Sequence, residues 1–295
     1  MCLLRLLTAV LLLLSGAAVP VHSGTNPTIA YIAFSEGFWQ IWVMDPDGTR
    51  RSQVTRTPYD KSKLSWYPDG THLLVNGSQG QLNKINIQTS GEVPVKLPLE
   101  GVVDAVLSPD GKQIAFSASV ADAVDRNDIW LVDALGDNLR KLTRMQGLQH
   151  EPAWSSDGRL LYFLSGITGS AKQHHDLWQY ELSSGALTQL TSGRLYHFDI
   201  DASAQGALVY SNNSTGDYEI WMKSGSGEVT RLTHSPGLDS KPSWSPDGKT
   251  VIFESTRSGV PNIWKLELES GLIKQLTDEK TGARHPAWFR QQGRS

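Results

Sequence analysis

Six charged or titratable residues recur at one place in a repeated sequence pattern, each just before a Pro-x-Trp segment or its variant. Carboxylate, ammonium and imidazole groups gathered at one point can bind a charged ligand, hold a metal ion or transfer protons. Loop ends of a scaffold are polar by default, so a merely solvated surface is the other interpretation. We interpret the set as a partner-binding site around the mouth of a central channel, consisting of Lys63, Asp104, Glu151, His197, Lys241 and His285.

Signatures of catalysis are missing from the sequence. It contains no Gly-x-Ser-x-Gly segment of a hydrolase, no His-Glu-x-x-His zinc motif and no Gly-x-x-x-x-Gly-Lys phosphate loop. We therefore predict that the protein is not an enzyme, with no catalytic residue, no metal and no cofactor.

The elements that hold these residues are short strands in a repeat. The unit from Lys241 to Thr277 has four short apolar runs bounded by Gly, Pro, Asp or Ser, which is typical of a four-stranded antiparallel meander. Glycines of the turn after the first strand fall at positions 70, 111, 158, 206 and 248, so the copies are 41 to 48 residues apart. This period indicates propeller blades.

The two ends of the repeat predict how the fold closes. Residues 26–55 supply only the last three strands of a unit, and the segment from Arg284 to Trp288 copies the missing first strand. Closure removes free sheet edges in such folds. We therefore predict an all-β fold, a six-bladed β-propeller closed by pairing the C-terminal strand with the N-terminal blade.

Tryptophans and turn aspartates have structural interpretations. Nine of the ten tryptophans fall at fixed first-strand or third-strand positions, which predicts packing between blades rather than stacking on sugars or bases. The aspartates that precede the turn glycines are expected to cap their own turns, because Asp bonds to backbone N–H groups there. They are Asp69, Asp110, Asp157 and Asp247.

The N-terminal segment predicts export. Residues 1–23 carry Arg5, an apolar run from Leu6 to Leu14 and then small residues, which is typical of a cleavable signal peptide. We expect cleavage after Ser23, with a site after Ala18 as the competitor. The domain prediction is a signal peptide over residues 1–23 and the propeller over residues 24–295.

Composition limits the partners. Cys2, the one cysteine, leaves with the signal peptide, so we expect no disulfide and no thiolate metal site in the mature chain. With 27 basic and 30 acidic residues the formal net charge is −3, which disfavours nucleic acid as a partner. No second apolar run approaches spanning length, so no membrane insertion is expected after cleavage.

The best copy of the repeat resembles a known family. Its Pro-Ser-Trp-Ser-Pro-Asp-Gly segment at residues 242–248, followed by Ile-x-Phe-x-Ser, Ile-Trp and Leu-Thr, is similar to the propeller of the TolB proteins of the bacterial envelope. The resemblance covers nearly all of the mature chain, without the N-terminal α/β domain of TolB. It implies a partner-binding face that in the family receives a peptidoglycan-associated lipoprotein, whereas roles of the α/β domain, such as contact with a TolA-like partner, are not implied.

We therefore predict a periplasmic, non-enzymatic and monomeric propeller that acts as a protein-binding scaffold in the cell envelope. The same repeat is also similar to propellers of peptidases, of oligogalacturonate lyases and of sensor ectodomains. The alternative is a carbohydrate-active enzyme that resembles the lyases, with a metal site at the channel mouth formed by His150, His197 and His285.

An exposed site also makes a prediction about stability. Exposed charges contribute little to folding, so exchanging Asp104 and Glu151 for lysine should hardly change the melting temperature while weakening partner binding. If binding were unchanged, the enlarged hairpins at residues 119–127 and 166–175 would be the other candidate face.

Overall fold

The computed structural model describes residues 28–119, 127–166, 174–193 and 195–290. The predicted signal peptide and most of the two enlarged hairpins lie outside these ranges. Every regular element within them is a β-strand. No helix within these ranges is long and apolar enough to cross a bilayer.

The strands of the first half of the chain are β1 (Ile29–Ser35), β2 (Phe38–Met44), β3 (Ser52–Gln53), β4 (Lys61–Trp66), β5 (His72–Gly77), β6 (Leu82–Asn86), β7 (Glu92–Pro94), β8 (Val102–Leu107), β9 (Gln113–Ser119), β10 (Asn127–Asp133), β11 (Arg140–Lys141) and β12 (Leu148–Trp154). Those of the second half are β13 (Leu160–Gly166), β14 (His175–Glu181), β15 (Leu187–Gln189), β16 (His197–Ala202), β17 (Leu208–Asn212), β18 (Glu219–Lys223), β19 (Val229–Arg231), β20 (Asp239–Trp244), β21 (Thr250–Ser255), β22 (Asn262–Glu267), β23 (Ile273–Gln275) and β24 (Ala283–Trp288).

These strands form four four-stranded sheets and one eight-stranded sheet. The four-stranded sheets follow the orders β24-β1-β2-β3, β4-β5-β6-β7, β16-β17-β18-β19 and β20-β21-β22-β23, and the large sheet contains β8 to β15. The all-β propeller prediction is confirmed, but the prediction of six separate blades is wrong. Parallel pairing of Asn127 with Leu148 joins β10 to β12, so two of the expected blades form one continuous sheet.

The C-terminal strand completes the N-terminal sheet. β24 pairs antiparallel with β1, with Ile29 opposite Trp288 and Ala33 opposite Ala283. β24 also contacts β4 and β20, the first strands of the units on either side. This is the pairing of chain ends that the incomplete first repeat predicts, and it covers an edge of β1.

The recurring tryptophans pack in the apolar layers between units. Trp244 is 1% exposed, in a cluster with Val209 and Phe253, and Trp288 is 9% exposed, in a cluster with Tyr31. This confirms the packing role. Indole N–H groups without a hydrogen-bond partner in the described residues belong to Trp42, Trp130, Trp221, Trp244 and Trp264, so burial rather than hydrogen bonding accounts for these positions.

A Leu-Thr segment, or Val54-Thr55 in the first unit, ends each unit except the second and joins the third strand to the fourth. In the last unit Leu276 is buried, and the Thr277 hydroxyl oxygen accepts the Ile263 backbone N–H at 2.8 Å. The capping role of the turn aspartates is also confirmed, since Asp247 Oδ1 accepts the Lys249 backbone N–H at 3.0 Å. Both motifs satisfy backbone donors that the sheet leaves unpaired.

Candidate functional site

The candidate site lies on the first strands of the units, which surround the channel. These are β4, β8, β12, β16, β20 and β24, and neighbouring first strands contact one another around the ring. The pairing of β4 shifts register between Lys61 and Lys63. Each of the five other first strands contains a bulge at which two residues lie opposite one residue of the paired strand. In β12, Glu151 and Pro152 lie opposite Phe163. A bulge changes the direction of its side chains, and here they line the channel.

The first residue of each of these bulges has a left-handed backbone conformation. The φ angles are 56° at Asp104, 52° at Glu151, 61° at Asp199, 52° at Lys241 and 50° at His285. Glycine adopts such angles without steric cost, whereas other residues lose about 1–3 kcal/mol. A charged or titratable side chain at all five equivalent positions indicates that these side chains have a role that offsets the strain.

A cavity of about 680 Å³ lies between the first strands. Its lining includes one charged or titratable residue at the equivalent position of each first strand, seven residues before the turn glycine or, in β24, at the matching bulge. We call this set the charged ring: Lys63, Asp104, Glu151, Asp199, Lys241 and His285. Five of them were predicted from the sequence as site residues, and the structure brings these five together.

His197 is the predicted site residue that does not line this cavity. It is the first residue of β16, it is buried, and its Nδ1 donates to the backbone carbonyl oxygen of His175 at 2.7 Å. Asp199, two residues later, takes its place in the charged ring.

A spacing signal in the sequence could have identified Asp199. Glu151 stands seven residues before the turn glycine Gly158, and Asp199 stands seven residues before Gly206. The fourth copy of the first strand has Ala202 where others have tryptophan, so the Pro-x-Trp anchor is missing there. Counting seven residues back from the turn glycine would have given Asp199 instead of His197.

The charged ring lies deeper than a channel mouth. The cavity extends from the ring to the Pro-Asp-Gly turns, and it is not lined by any described residue that precedes the ring on a first strand. The Glu151 side chain is 15% exposed and the Asp199 side chain 6%. The ring therefore forms the inner end of the cavity.

Asp199 and Lys241 form a largely buried ion pair within the ring. The Lys241 ammonium pairs with Asp199 Oδ1, and the Lys241 backbone N–H donates to Oδ2 at 3.2 Å. The Ser211 hydroxyl donates to the same Oδ2 at 3.2 Å. The Asp199 backbone N–H in turn donates to Glu151 Oε2 at 2.6 Å. These carboxylates connect the bulges of β12, β16 and β20.

Burial and neighbouring charges shift the pKa values of the two carboxyls in opposite directions. Burial raises the pKa of Glu151 to about 7, and the negative charge of Asp199 adds to the rise. Burial would also raise the pKa of Asp199, but the Lys241 charge and hydrogen bonds hold it below its usual range. Burial disfavours the charged form of Lys241, but the carboxylates of Asp199 and Glu151 outweigh this effect and raise the Lys241 pKa. Glu151 therefore changes charge near neutral pH.

The rest of the ring is less tightly paired. Lys63 Nζ lies 3.8 Å from Asp104 Oδ1, and these side chains are 23% and 31% exposed. The His285 backbone N–H donates at 3.3 Å to Oε2 of Glu254, whose pKa burial raises to about 6. Burial and the Lys241 charge hold the pKa of His285 well below its usual range, so its imidazole is neutral at pH 7.

The three histidines of the alternative metal site have different surroundings. His150 packs edge-on against His175, with ring centroids 4.7 Å apart, while His285 belongs to the charged ring. His197 contacts the backbone of His175 rather than the cavity. Among the described residues, no group of three His, Cys, Asp or Glu side chains is placed to hold a metal ion.

The walls between the ring and the turns are largely apolar. Trp66, Val106 and Trp154 line them. At the outer end, Arg290 Nη2 pairs with Asp201 Oδ1 of β16 at 2.6 Å. The cavity thus combines a charged inner end, apolar walls and an ion pair near its outer end.

Comparisons with known proteins concern the family and the fold. The family profile described as the TolB beta propeller domain matches residues 206–294. An uncharacterised protein of Agrobacterium fabrum is 31% identical over 246 residues, which are 78% of this chain and 80% of that protein. The Tol-Pal system protein TolB of Bordetella pertussis is 27% identical over 167 residues, which are 55% of this chain and 37% of that protein.

Solved structures show the same fold. The crystal structure of TolB from Acinetobacter baumannii superposes with a TM-score of 0.78 at 21% identity, covering 90% of this chain and 67% of that one. An oligogalacturonate lyase from Vibrio parahaemolyticus superposes with a TM-score of 0.53 at 14% identity, covering 85% of this chain and 74% of that one. At these identities the superpositions show the fold alone.

The fold and the channel define an all-β propeller with a charged central cavity. The chain belongs to the TolB-type β-propeller family, as the family profile and the relatives show. It spans less than half the length of the Bordetella TolB protein that it matches.

Proposed function

We propose that the chain is a periplasmic, non-enzymatic propeller that binds another protein of the cell envelope through its channel cavity. The observation that supports this most directly is the charged ring at the inner end of a cavity of about 680 Å³, with five of its six residues in left-handed bulges. By family resemblance, the partner class is a peptidoglycan-associated lipoprotein. Membership of a family that includes a Tol-Pal system protein supports this choice.

The size of the cavity limits how a protein could bind there. Pockets for small ligands measure roughly 300–1,000 Å³, so this cavity admits side chains or a short segment but not a folded domain. We therefore expect the partner to insert a loop or an extended segment, with further contacts on the surface formed by the Pro-Asp-Gly turns.

Blocking the cavity tests the proposal. Ala204 is exposed and lines the cavity, so Ala204→Trp should obstruct entry without disturbing the core. Ala186 is exposed and does not line this cavity, so Ala186→Trp is the matched control. Purified peptidoglycan-associated lipoprotein from the same organism should bind the wild type and the control and lose at least tenfold affinity for Ala204→Trp. Equal binding by all three would reject the channel as the site, and no binding by the wild type would reject the partner.

Location is a second part of the proposal. The apolar N-terminal run and the small residues that follow it support export with cleavage after Ser23. Fractionation and intact mass should show a periplasmic chain that starts near Gly24. A membrane-bound product that retains residues 1–23 would contradict this.

The non-enzymatic part is supported by the different surroundings of His150, His197 and His285. The alternative, a lyase-like carbohydrate-active enzyme, predicts a bound metal and new ultraviolet absorbance from unsaturated sugar products. We expect neither a stoichiometric metal in the purified protein nor such absorbance after incubation with oligogalacturonate. Either signal would favour the alternative.

A further inference from the structure

The lining of the channel cavity carries more negative than positive charge. Its acidic side chains are Asp104, Asp110, Glu151, Asp157, Asp199 and Asp201. Its basic side chains are Lys63, Lys241 and Arg290, and His285 is neutral at pH 7. A cavity with apolar walls and excess negative charge concentrates cations.

Four of the six carboxylates already have close partners. Asp199 and Asp201 pair with Lys241 and Arg290. Asp110 Oδ1 accepts the Ser108 hydroxyl at 2.7 Å, and Asp157 accepts the equivalent hydroxyl of its own turn at the same distance. These four are engaged in structural contacts.

Asp104 and Glu151 are less completely paired. The 3.8 Å separation of Asp104 Oδ1 from Lys63 Nζ is longer than a hydrogen bond. Glu151 Oε2 accepts the Asp199 backbone N–H, while its Oε1 lies 3.9 Å from Nδ1 of His150. Burial lowers the pKa of His150 to about 4, so this imidazole is neutral at pH 7 and supplies no positive charge. The two neighbouring carboxyls at the inner end can therefore accept a further cation.

The chain itself shows that the cavity can hold a guanidinium group. Arg290 lines the cavity, its Nη2 lies 2.6 Å from Asp201 Oδ1, and its Nη1 donates to the backbone carbonyl oxygen of Ala202 at 2.5 Å. The apolar walls suit the methylene stem of such a side chain, which long basic residues bury while the charged group binds.

We propose that Asp104 and Glu151 form a subsite for a lysine or arginine side chain carried by an extended segment of the partner protein. This inference rests on the proposed function, because it places a specific part of the partner in the same cavity. The partner's basic side chain passes between the tryptophans of the walls. Its positive charge compensates the excess negative charge of the ring. We call this pair the acidic subsite.

Proton linkage gives the proposal a distinctive consequence. A cation prefers ionised Glu151, whose pKa is about 7 in the free protein. If only the ionised form binds, affinity should rise about tenfold between pH 6 and pH 8. The other titratable and charged groups that face Glu151 are His150, Asp199, Asp104, Lys63 and Lys241. The pKa of His150 is lowered to about 4 by burial, that of Asp199 is held low by Lys241, and that of Lys241 is raised by the neighbouring carboxylates, so none of these three changes charge over this interval.

The test uses short peptides with blocked ends and the purified protein. The probes are acetylated and amidated pentapeptides of sequence Gly-Ser-X-Ser-Gly, in which X is lysine, arginine, norleucine or glutamate. Binding is followed by titration of the indole N–H signals, since Trp66, Trp154 and Trp288 line the cavity. The lysine and arginine peptides should bind at least tenfold more tightly than the other two, and more tightly at pH 8 than at pH 6.

Isosteric variants locate the subsite. Asp104→Asn with Glu151→Gln removes both charges but keeps an oxygen that can accept the Asp199 N–H, so the melting temperature should change little. It should lose at least tenfold affinity for the basic peptides and lose the pH dependence. The matched control is Asp110→Asn with Asp157→Asn, which removes two charges from turn residues of the same cavity and should lose less than threefold.

Several outcomes would overturn the inference. One is equal binding of the lysine and norleucine peptides, and another is no binding by any peptide. A third is unchanged peptide binding by the ring variant, which is the protein with Asp104→Asn and Glu151→Gln. Putrescine binding as tightly as the lysine peptide would assign the subsite to free amines instead. If the ring variant does not fold, a flat pH dependence of the wild type would be decisive against the proposal.

Capture of the whole lipoprotein separates this inference from the proposed function. If the wild type and the ring variant capture it equally, the channel function stands and the acidic subsite is rejected. If the basic peptides bind as expected but no lipoprotein is captured, the subsite stands and the proposed partner is rejected.

Discussion

Replacing Lys241 with methionine removes the ammonium group that pairs with the Asp199 carboxylate inside the channel. The Asp199 side chain is 6% exposed and the Lys241 side chain 29%. Removing one partner of a buried ion pair costs about 3–5 kcal/mol, because the other charge remains buried without compensation. We expect the lower end of that range, about 3 kcal/mol, since the channel gives Lys241 some contact with solvent.

Denaturant unfolding at pH 7 measures this cost. Asp199→Asn and the double variant complete a double-mutant cycle, in which the double variant should lose less stability than the sum of the single variants. The matched control is Lys112→Met. Its ion pair with Asp110 has an N–O distance of 3.7 Å and a lysine side chain that is 79% exposed. Such surface pairs contribute about 0–1 kcal/mol, so the control should stay close to the wild type.

The pH dependence identifies the cause. In the wild type the pKa of Asp199 is lowered, so its contribution to stability is present above its unfolded pKa and is lost as the pH falls. Without Lys241, burial raises the pKa of that carboxyl, so the deficit of the variant should be largest at pH 7 and shrink towards pH 4. A loss below about 1 kcal/mol at pH 7, or one independent of pH, would refute a buried pair.

Three further predictions concern the ring, the closure and the strand links. Burial raises the pKa values of Glu151 and Glu254 to about 7 and 6, so the folded state binds more protons and stability should fall from pH 5.5 to pH 8. In denaturant unfolding Glu151→Gln should flatten this slope, and an unchanged slope would contradict the assignment. Deleting residues from Arg284 onward removes most of β24 and a buried tryptophan, which should lower the free energy of unfolding by at least about 3–5 kcal/mol. An unchanged melting temperature in calorimetry would contradict the closure of the ring by β24. Thr277→Val should lower the free energy of unfolding by about 1–3 kcal/mol in denaturant, because it leaves the buried N–H of Ile263 unpaired. A loss no larger than that of the exposed control Thr188→Val would argue against this link between strands.

Local sequence patterns were sufficient to predict the strands and their pairing within a unit. In the unit from Lys241 to Thr277, short apolar runs correspond to β21 and β22, and the Pro-Asp-Gly turn separates β20 from β21. Alternation and turn chemistry act over a few residues, so they can be read without tertiary information. The pairing of β24 with β1 followed from counting strands in the first and last repeats.

The number of independent sheets could not be derived in this way. Whether neighbouring units share a hydrogen-bonded edge depends on the approach of two backbones, here Asn127 and Leu148. No side-chain pattern encodes that approach, because backbone pairing uses groups common to all residues. The repeat therefore predicted the strands correctly but not how they merge into sheets.

The candidate site was predicted by residue type but not by depth. The repeat identified a charged position on each first strand, and only the copy with Ala202 in the tryptophan position was misread. The bulges, by contrast, place residues without glycine's conformational freedom in left-handed geometry, which sequence patterns do not anticipate. Strands that continue beyond the ring then bury it inside the channel.

Burial of the ring changes how binding and stability can be separated. Glu151 Oε2 accepts the Asp199 N–H, and Asp199 in turn holds Lys241, so a carboxylate available to a partner is also a link between neighbouring bulges. A cation that ionises Glu151 strengthens this hydrogen bond, because charged acceptors bind N–H groups more tightly. Exchanging Asp104 and Glu151 for lysine would therefore disrupt the ring as well as the binding surface. Asparagine and glutamine retain the acceptor oxygens and change only the charge, so they isolate the contribution of charge to binding.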